Sequence, residues 1–94
     1  MYTRVVRFTD VNAERMERLV ARIKESDGPP PDVPSTGLTV LFDEGQGVAV
    51  VLQHFATAED MAVGGKVMAA MDPSETPGTR ASVEACEVRL ELEA

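Results

Sequence analysis

The sequence predicts one α+β domain in the order strand, helix, strand, strand, helix, strand. Three observations carry this. Val48 to Phe55 is the most apolar run, and it holds the chain's single histidine, His54. Met16, Leu19, Val20 and Ile23 recur at i, i+3, i+4 and i+7, the spacing of one helical stripe. Glycine and proline gather between the periodic stretches, at 28–34, 45–47 and 73–78, where they break helix and strand alike.

In chain order, Tyr2 to Phe8 reads as a first strand. Tyr2, Arg4, Val6 and Phe8 share one face; Thr3, Val5 and Arg7 share the other. Asp10 or Asn12 can cap the helix that follows, since either side chain can accept a free first-turn N–H. Glu14 and Arg18 form an i,i+4 pair on its wet side. The proline-dense stretch 26–37 reads as a stiff, partly extended loop. Leu38 to Asp43 alternates as a second strand, and Glu44-Gly45-Gln46-Gly47 supplies a hairpin turn.

The third strand departs from simple alternation. Val48, Val50 and Leu52 lie on one face and Ala49, Val51 and Phe55 on the other, so both faces call for cover. Thr57-Ala58-Glu59-Asp60 resembles a capping box with Asp in the fourth place. Met61, Gly64, Gly65, Met68 and Met71 mark the inward stripe of the second helix, which Asp72-Pro73 ends. Glycines in a helix interior are unfavourable by about 1 kcal/mol each, so a close neighbouring backbone is expected there. Arg80 to Leu92 reads as a long last strand whose change of parity implies a β-bulge near Glu84 to Cys86.

Composition narrows the function classes. The chain has 94 residues, spanning a single domain 1–94, with 9 Lys plus Arg against 16 Asp plus Glu, a formal charge of −7. That balance argues against nucleic-acid and anionic-membrane partners, which need a basic patch. No run approaches the roughly 18 apolar residues of a membrane span, and no leader-like segment opens the sequence, so the cytoplasm is the expected compartment. The lone Cys86 excludes an internal disulfide and reads as a small buried residue, flanked by Glu84 and Glu87. A domain this short buries only about 60–65% of its unfolded surface, so a homodimer would help its stability.

Right-handed crossovers put the first and third strands at the centre of a four-stranded antiparallel sheet, with that central pair itself expected to run parallel. Both helices then lie on one face, the ferredoxin-like split βαββαβ arrangement. The other face would be apolar and uncovered, and a twofold dimer stacking two such sheets into a barrel would cover it. The strand Tyr2–Phe8, the Met16/Leu19/Val20/Ile23 helix, His54-Phe55, Thr57-Ala58-Glu59-Asp60 and Pro77-Gly78-Thr79-Arg80 together resemble the dimeric α+β barrel superfamily. The antibiotic-biosynthesis-monooxygenase-like small proteins are the nearest in pattern. That resemblance implies a small apolar or aromatic ligand in a cavity between sheet and helices, with monooxygenase-like or isomerase-like chemistry. Its oxygenase-like and haem-degrading members combine an Asn near the first strand with a Trp and often a His. Asn12 would answer to the Asn, but the chain has no Trp and no histidine in its second helix.

Among single residues, His54 is the candidate catalytic group, because imidazole titrates near neutrality and it ends the central strand, beside the end of the first. Arg4 and Arg7 are candidate ligand anchors on opposite faces, with an ion pair to Glu84 or Glu87 as the structural alternative. Tyr2 could orient a phenol, and Asn12 completes the ligand-binding candidates. No metal site is expected, because a lone His has no partners at ligand spacing, and no cofactor is expected. The competing reading is a non-catalytic binding or accessory module whose apolar sheet face only forms the dimer. A pocket reaching His54 and one of the two arginines would favour the first reading.

Overall fold

The computed structural model describes residues 1–26, 33–69 and 77–93. Strand β1 (Tyr2–Thr9) leads to helix α1 (Ala13–Ser26), then β2 (Gly37–Asp43), β3 (Val48–Phe55), helix α2 (Ala58–Ala69) and β4 (Thr79–Glu87). The four strands form one sheet in the order β2-β3-β1-β4. This is the ferredoxin-like α+β fold.

One expectation about the sheet fails. The central strands β1 and β3 are antiparallel, with Tyr2 opposite Phe55 and Phe8 opposite Ala49. The reason is connectivity. A helix crossover makes β1 and β2 parallel but leaves one strand between them, and that strand, β3, is tied to β2 by a tight hairpin. A hairpin partner of β2 must oppose both neighbours. His54 therefore stands beside Thr3, at the start of β1 rather than its end.

Parity assigns the two faces as the sequence suggests. Arg4, Val6 and Phe8 are buried against the helices together with Ala49, Gln53 and Phe55. Helix α1 adds Met16 to the core of Val6, Phe8, Val11 and Ala49, with Leu19 and Val20 packed on it. Asn12 caps α1, its Oδ1 accepting the Arg15 N–H at 2.8 Å. Asp10 does not cap; it takes a left-handed conformation (φ 59°), which Asp tolerates, and turns the chain into the helix. Glu14 pairs with Arg18 on the exposed side. Thr57 caps α2 through its hydroxyl, which accepts the Asp60 N–H at 3.0 Å. In the β2–β3 turn, Gly47 adopts φ 66° while its carbonyl accepts the Val11 N–H at 3.0 Å, tying the hairpin to the start of α1.

The opposite face carries Val5, Val48, Val50 and Leu52, all half-buried, and Leu41, 49% exposed; among the described residues no helix covers it. Strand β4 differs from expectation in three ways. The register shift sits at Ala81, between Ser82 opposite Arg7 and Arg80 opposite Phe8, not at Glu84 to Cys86. The strand ends at Glu87, and Leu90 and Leu92 beyond it are 76% and 81% exposed. Cys86 is exposed, as are Val83, Ala85 and Glu87 on the other side of the strand, because β4 is an edge strand. Met71, Asp72 and Pro73 and the prolines at 29–31 lie outside the described residues.

The paired glycines of α2 have side chains as neighbours, not the backbone expected. A Cβ on Gly64 would lie 2.6 Å from the Phe55 ring, whereas one on Gly65 would meet Arg4 Nε at an ordinary 3.7 Å. We expect Gly64→Ala to destabilise the fold by about 1–2 kcal/mol through overpacking, despite its better helix propensity. Gly65→Ala should instead be neutral or stabilising by up to about 1 kcal/mol. Urea unfolding of the two variants separates them; equal effects would contradict this packing.

Candidate functional site

The register sorts the candidate residues into two groups on opposite faces of the sheet. On the open face, His54 stands in a cross-strand row with Gly37, Thr3 and Cys86. Its Nδ1 lies 3.3 Å from the Thr3 hydroxyl and its Nε2 3.1 Å from the Thr39 hydroxyl. A hydroxyl can donate or accept, so the two threonines can satisfy either neutral tautomer. Arg7 lies on the same face and pairs with Glu84 at 3.5 Å, both side chains about half exposed at 51% and 53%. Such a pair contributes little to stability. The structural alternative read for the arginines thus holds for Arg7.

On the helix-covered face the chemistry is different. Arg4 is only 7% exposed and Gln53, directly opposite, 6%. Arg4 Nη1 donates to Gln53 Oε1 at 3.0 Å. This hydrogen bond and the Gly65 gap hold the guanidinium between the sheet and α2. Buried charges are normally matched by an opposite charge, and here the partner is a neutral amide. Glu87 sits diagonally across β4 from Arg4 on this face, but its carboxylate pairs with Arg89 at 3.1 Å.

Burial, and secondarily the nearby charge of Arg80, lower the Arg4 pKa. A base with a lowered folded-state pKa is destabilised in its charged form at every pH below that value. For a guanidinium this spans the working range, so the penalty is constant there and lifts only in strong alkali.

The remaining candidates do not converge on one point. Tyr2 lies at the β1 end of the covered face, opposite Phe55 and Glu87. Asn12 is exposed beyond the other end of β1, engaged as a helix cap. No arrangement joins His54 with Arg4; the sheet separates them. Gln53, Gly65 and Arg80 are not singled out as site residues by the sequence. Gln53 had a signal, a lone polar residue sharing parity with Ala49, Val51 and Phe55. Among the described residues no group of three or more His, Cys, Asp or Glu is placed to hold a metal.

A ferredoxin-like α+β domain with one buried arginine under its second helix is thus the class that the fold and site define. In comparison with known proteins, the chain is similar to a crystal structure of a MhuD mutant with two manganese protoporphyrin IX bound per active site. The likeness covers 100% of both chains at a TM-score of 0.64 and 17% identity. It shows the fold, and at that level agrees with the resemblance read from sequence. No family model and no curated protein matches the sequence.

The Arg4–Gln53 pair makes a clear expectation. Gln53→Leu removes the acceptor and leaves a largely buried cation without its protein hydrogen-bond partner, which should destabilise by about 2–3 kcal/mol. Arg4→Leu combined with Gln53→Leu should recover most of that loss, since an apolar pair replaces the polar one. Chemical denaturation of both variants checks this; a double variant no better than Gln53→Leu would contradict it.

Proposed function

We propose that this protein binds a small apolar or aromatic molecule between its sheet and α2, and does so as a homodimer joined through the open sheet face. The observation that carries the ligand reading is Val51. It lies in the middle of a central strand on the covered face, opposite Val6 and Val40, yet it is only partly buried. Val40, Leu19, Met61 and Met68, which also belong to the inward stripes, are partly buried as well. The fully buried residues cluster instead around Phe8 and Ala49 and around Phe55. A centre left incompletely covered, bordered by the Arg4–Gln53 pair, suits an apolar guest with a polar handle.

Support for the dimer comes from Val5, Val48, Val50, Leu52 and Leu41, which form one apolar patch on the open face. A second copy stacking its own sheet there would cover it, in the manner of a dimeric barrel. His54, Thr3, Thr39 and the Arg7–Glu84 pair would then lie at that interface.

The placement of His54 favours binding over catalysis at the covered face. Among the described residues, no side chain with an ordinary pKa near neutrality reaches Arg4, so the groups there position a ligand rather than move its protons. A porphyrin of the kind bound by MhuD does not fit the residues present. The chain has one histidine, it lies on the open face between two threonines, and Asn12 is engaged as a helix cap. Oxygenase-like or isomerase-like turnover would show as product formed from a bound ligand under air, and this arrangement predicts none.

Light scattering coupled to size exclusion should give a dimer, and Val50→Glu should give a folded monomer; a monomeric parent protein would defeat the dimer reading. Flat quinols and naphthols should raise the Tm of the parent protein, and Val51→Phe, which fills the space, should abolish the rise. Binding undiminished in Val51→Phe would place the ligand elsewhere.

A further inference from the structure

We propose that the ligand is a carboxylic acid: a flat aromatic or apolar body whose carboxylate is taken by the free edge of Arg4. This rests on the reading that a small molecule occupies the space between the sheet and α2, and it names the chemical class of that molecule.

The geometry gives Arg4 an unused recognition surface. A guanidinium has five N–H donors, and the one hydrogen bond to Gln53 engages Nη1 alone. Among the described residues, no side-chain nitrogen or oxygen is both sealed from solvent and without a partner. Since Arg4 is only 7% exposed, the accessible sliver must include the Nε and Nη2 edge. The Nε end of that edge lies beside α2 at Gly65, where even an added Cβ would stand at an ordinary 3.7 Å. A planar, doubly donating edge matches a carboxylate, which it can bind through two parallel hydrogen bonds.

Charge points the same way. The chain carries 16 acidic residues and a net charge of −7, yet none of the ion pairs among the described residues includes Arg4. Opposite Arg4 on β4 stands Ala85, where a Glu could have neutralised it, and the diagonal Glu87 is held by Arg89. Further along the same face of β4, opposite Phe8, stands a second cation, Arg80. Two cations on one face, the deeper without a counter-ion, make a local positive field in an acidic protein. A monoanion matches the one buried charge, and the exposed Arg80 adds attraction at longer range.

The test compares 2-naphthoate with its neutral isostere 2-naphthamide by calorimetry on the unmodified protein at pH 7. The acid is expected to bind about 10–100-fold more tightly, the range for a charge-assisted hydrogen-bonded contact. Arg4→Gln should bring the acid down to about the affinity of the amide, while the amide, which loses only a neutral acceptor contact, weakens far less. Arg4→Lys, which keeps the charge but loses the fork, should recover only part of the difference. Arg80→Gln, at an exposed position, should lower acid affinity severalfold and weaken its salt dependence. Equal binding of acid and amide to the unmodified protein would overturn the carboxylate assignment and leave the ligand reading standing. Binding of neither at millimolar concentration would overturn both.

Discussion

The antiparallel register of β1 against β3 decides which side chains can meet. With Tyr2 opposite Phe55 and Phe8 opposite Ala49, Arg4 must face Gln53 and Val6 must face Val51. The same register puts His54 across from Thr3 on the other face, so the histidine and the buried arginine can never share a pocket without a break in the sheet. A one-residue slip of β1 would exchange its faces and expose Val6 and Phe8, which burial forbids. The positions of Tyr2, Arg4, Arg7 and His54 follow from that constraint.

Around it, α2 is arranged as a lid with a notch. Gly64 admits the Phe55 ring, which fixes how closely the helix approaches the sheet, and Arg4 lies beside Gly65 at a distance that an added Cβ would also tolerate. A buried guanidinium with an amide partner is a stability liability in the free protein. Retaining it is intelligible if an anion supplies the missing charge, because the penalty then becomes binding free energy when the ligand arrives. The open face poses a separate problem, an apolar patch, which the proposed second copy of the chain would cover.

Much of this was legible in the sequence. Parity placed Arg4 with Val6 and Phe8 and opposed it to Arg7; the Met16 to Ile23 stripe and the Thr57 cap located both helices; and the apolar Val48–Leu52 run marked the central strand. What was not legible depended on tertiary relations. The direction of β3 relative to β1 follows from the hairpin and crossover together, not from either strand alone. Cys86 reads as buried because free cysteine in a strand usually is, but β4 is an edge strand exposed on both of its sides. The bulge at Ala81 was masked by the parity change further on, which belongs to the end of the strand at Glu87. Gln53 is inconspicuous because apolar residues surround it, although its inward parity was the clue to the partner of Arg4.

The most direct measurement of the central claim, that the covered face and not the open face receives the ligand, is a side-chain NMR titration with 2-naphthoate. We expect the Nε–H resonance of Arg4 and the Gly65 amide to shift together and saturably, with the imidazole resonances of His54 unmoved. Shifts at His54 and Arg7 with Arg4 silent would put the ligand on the open face and contradict a binding site beneath α2.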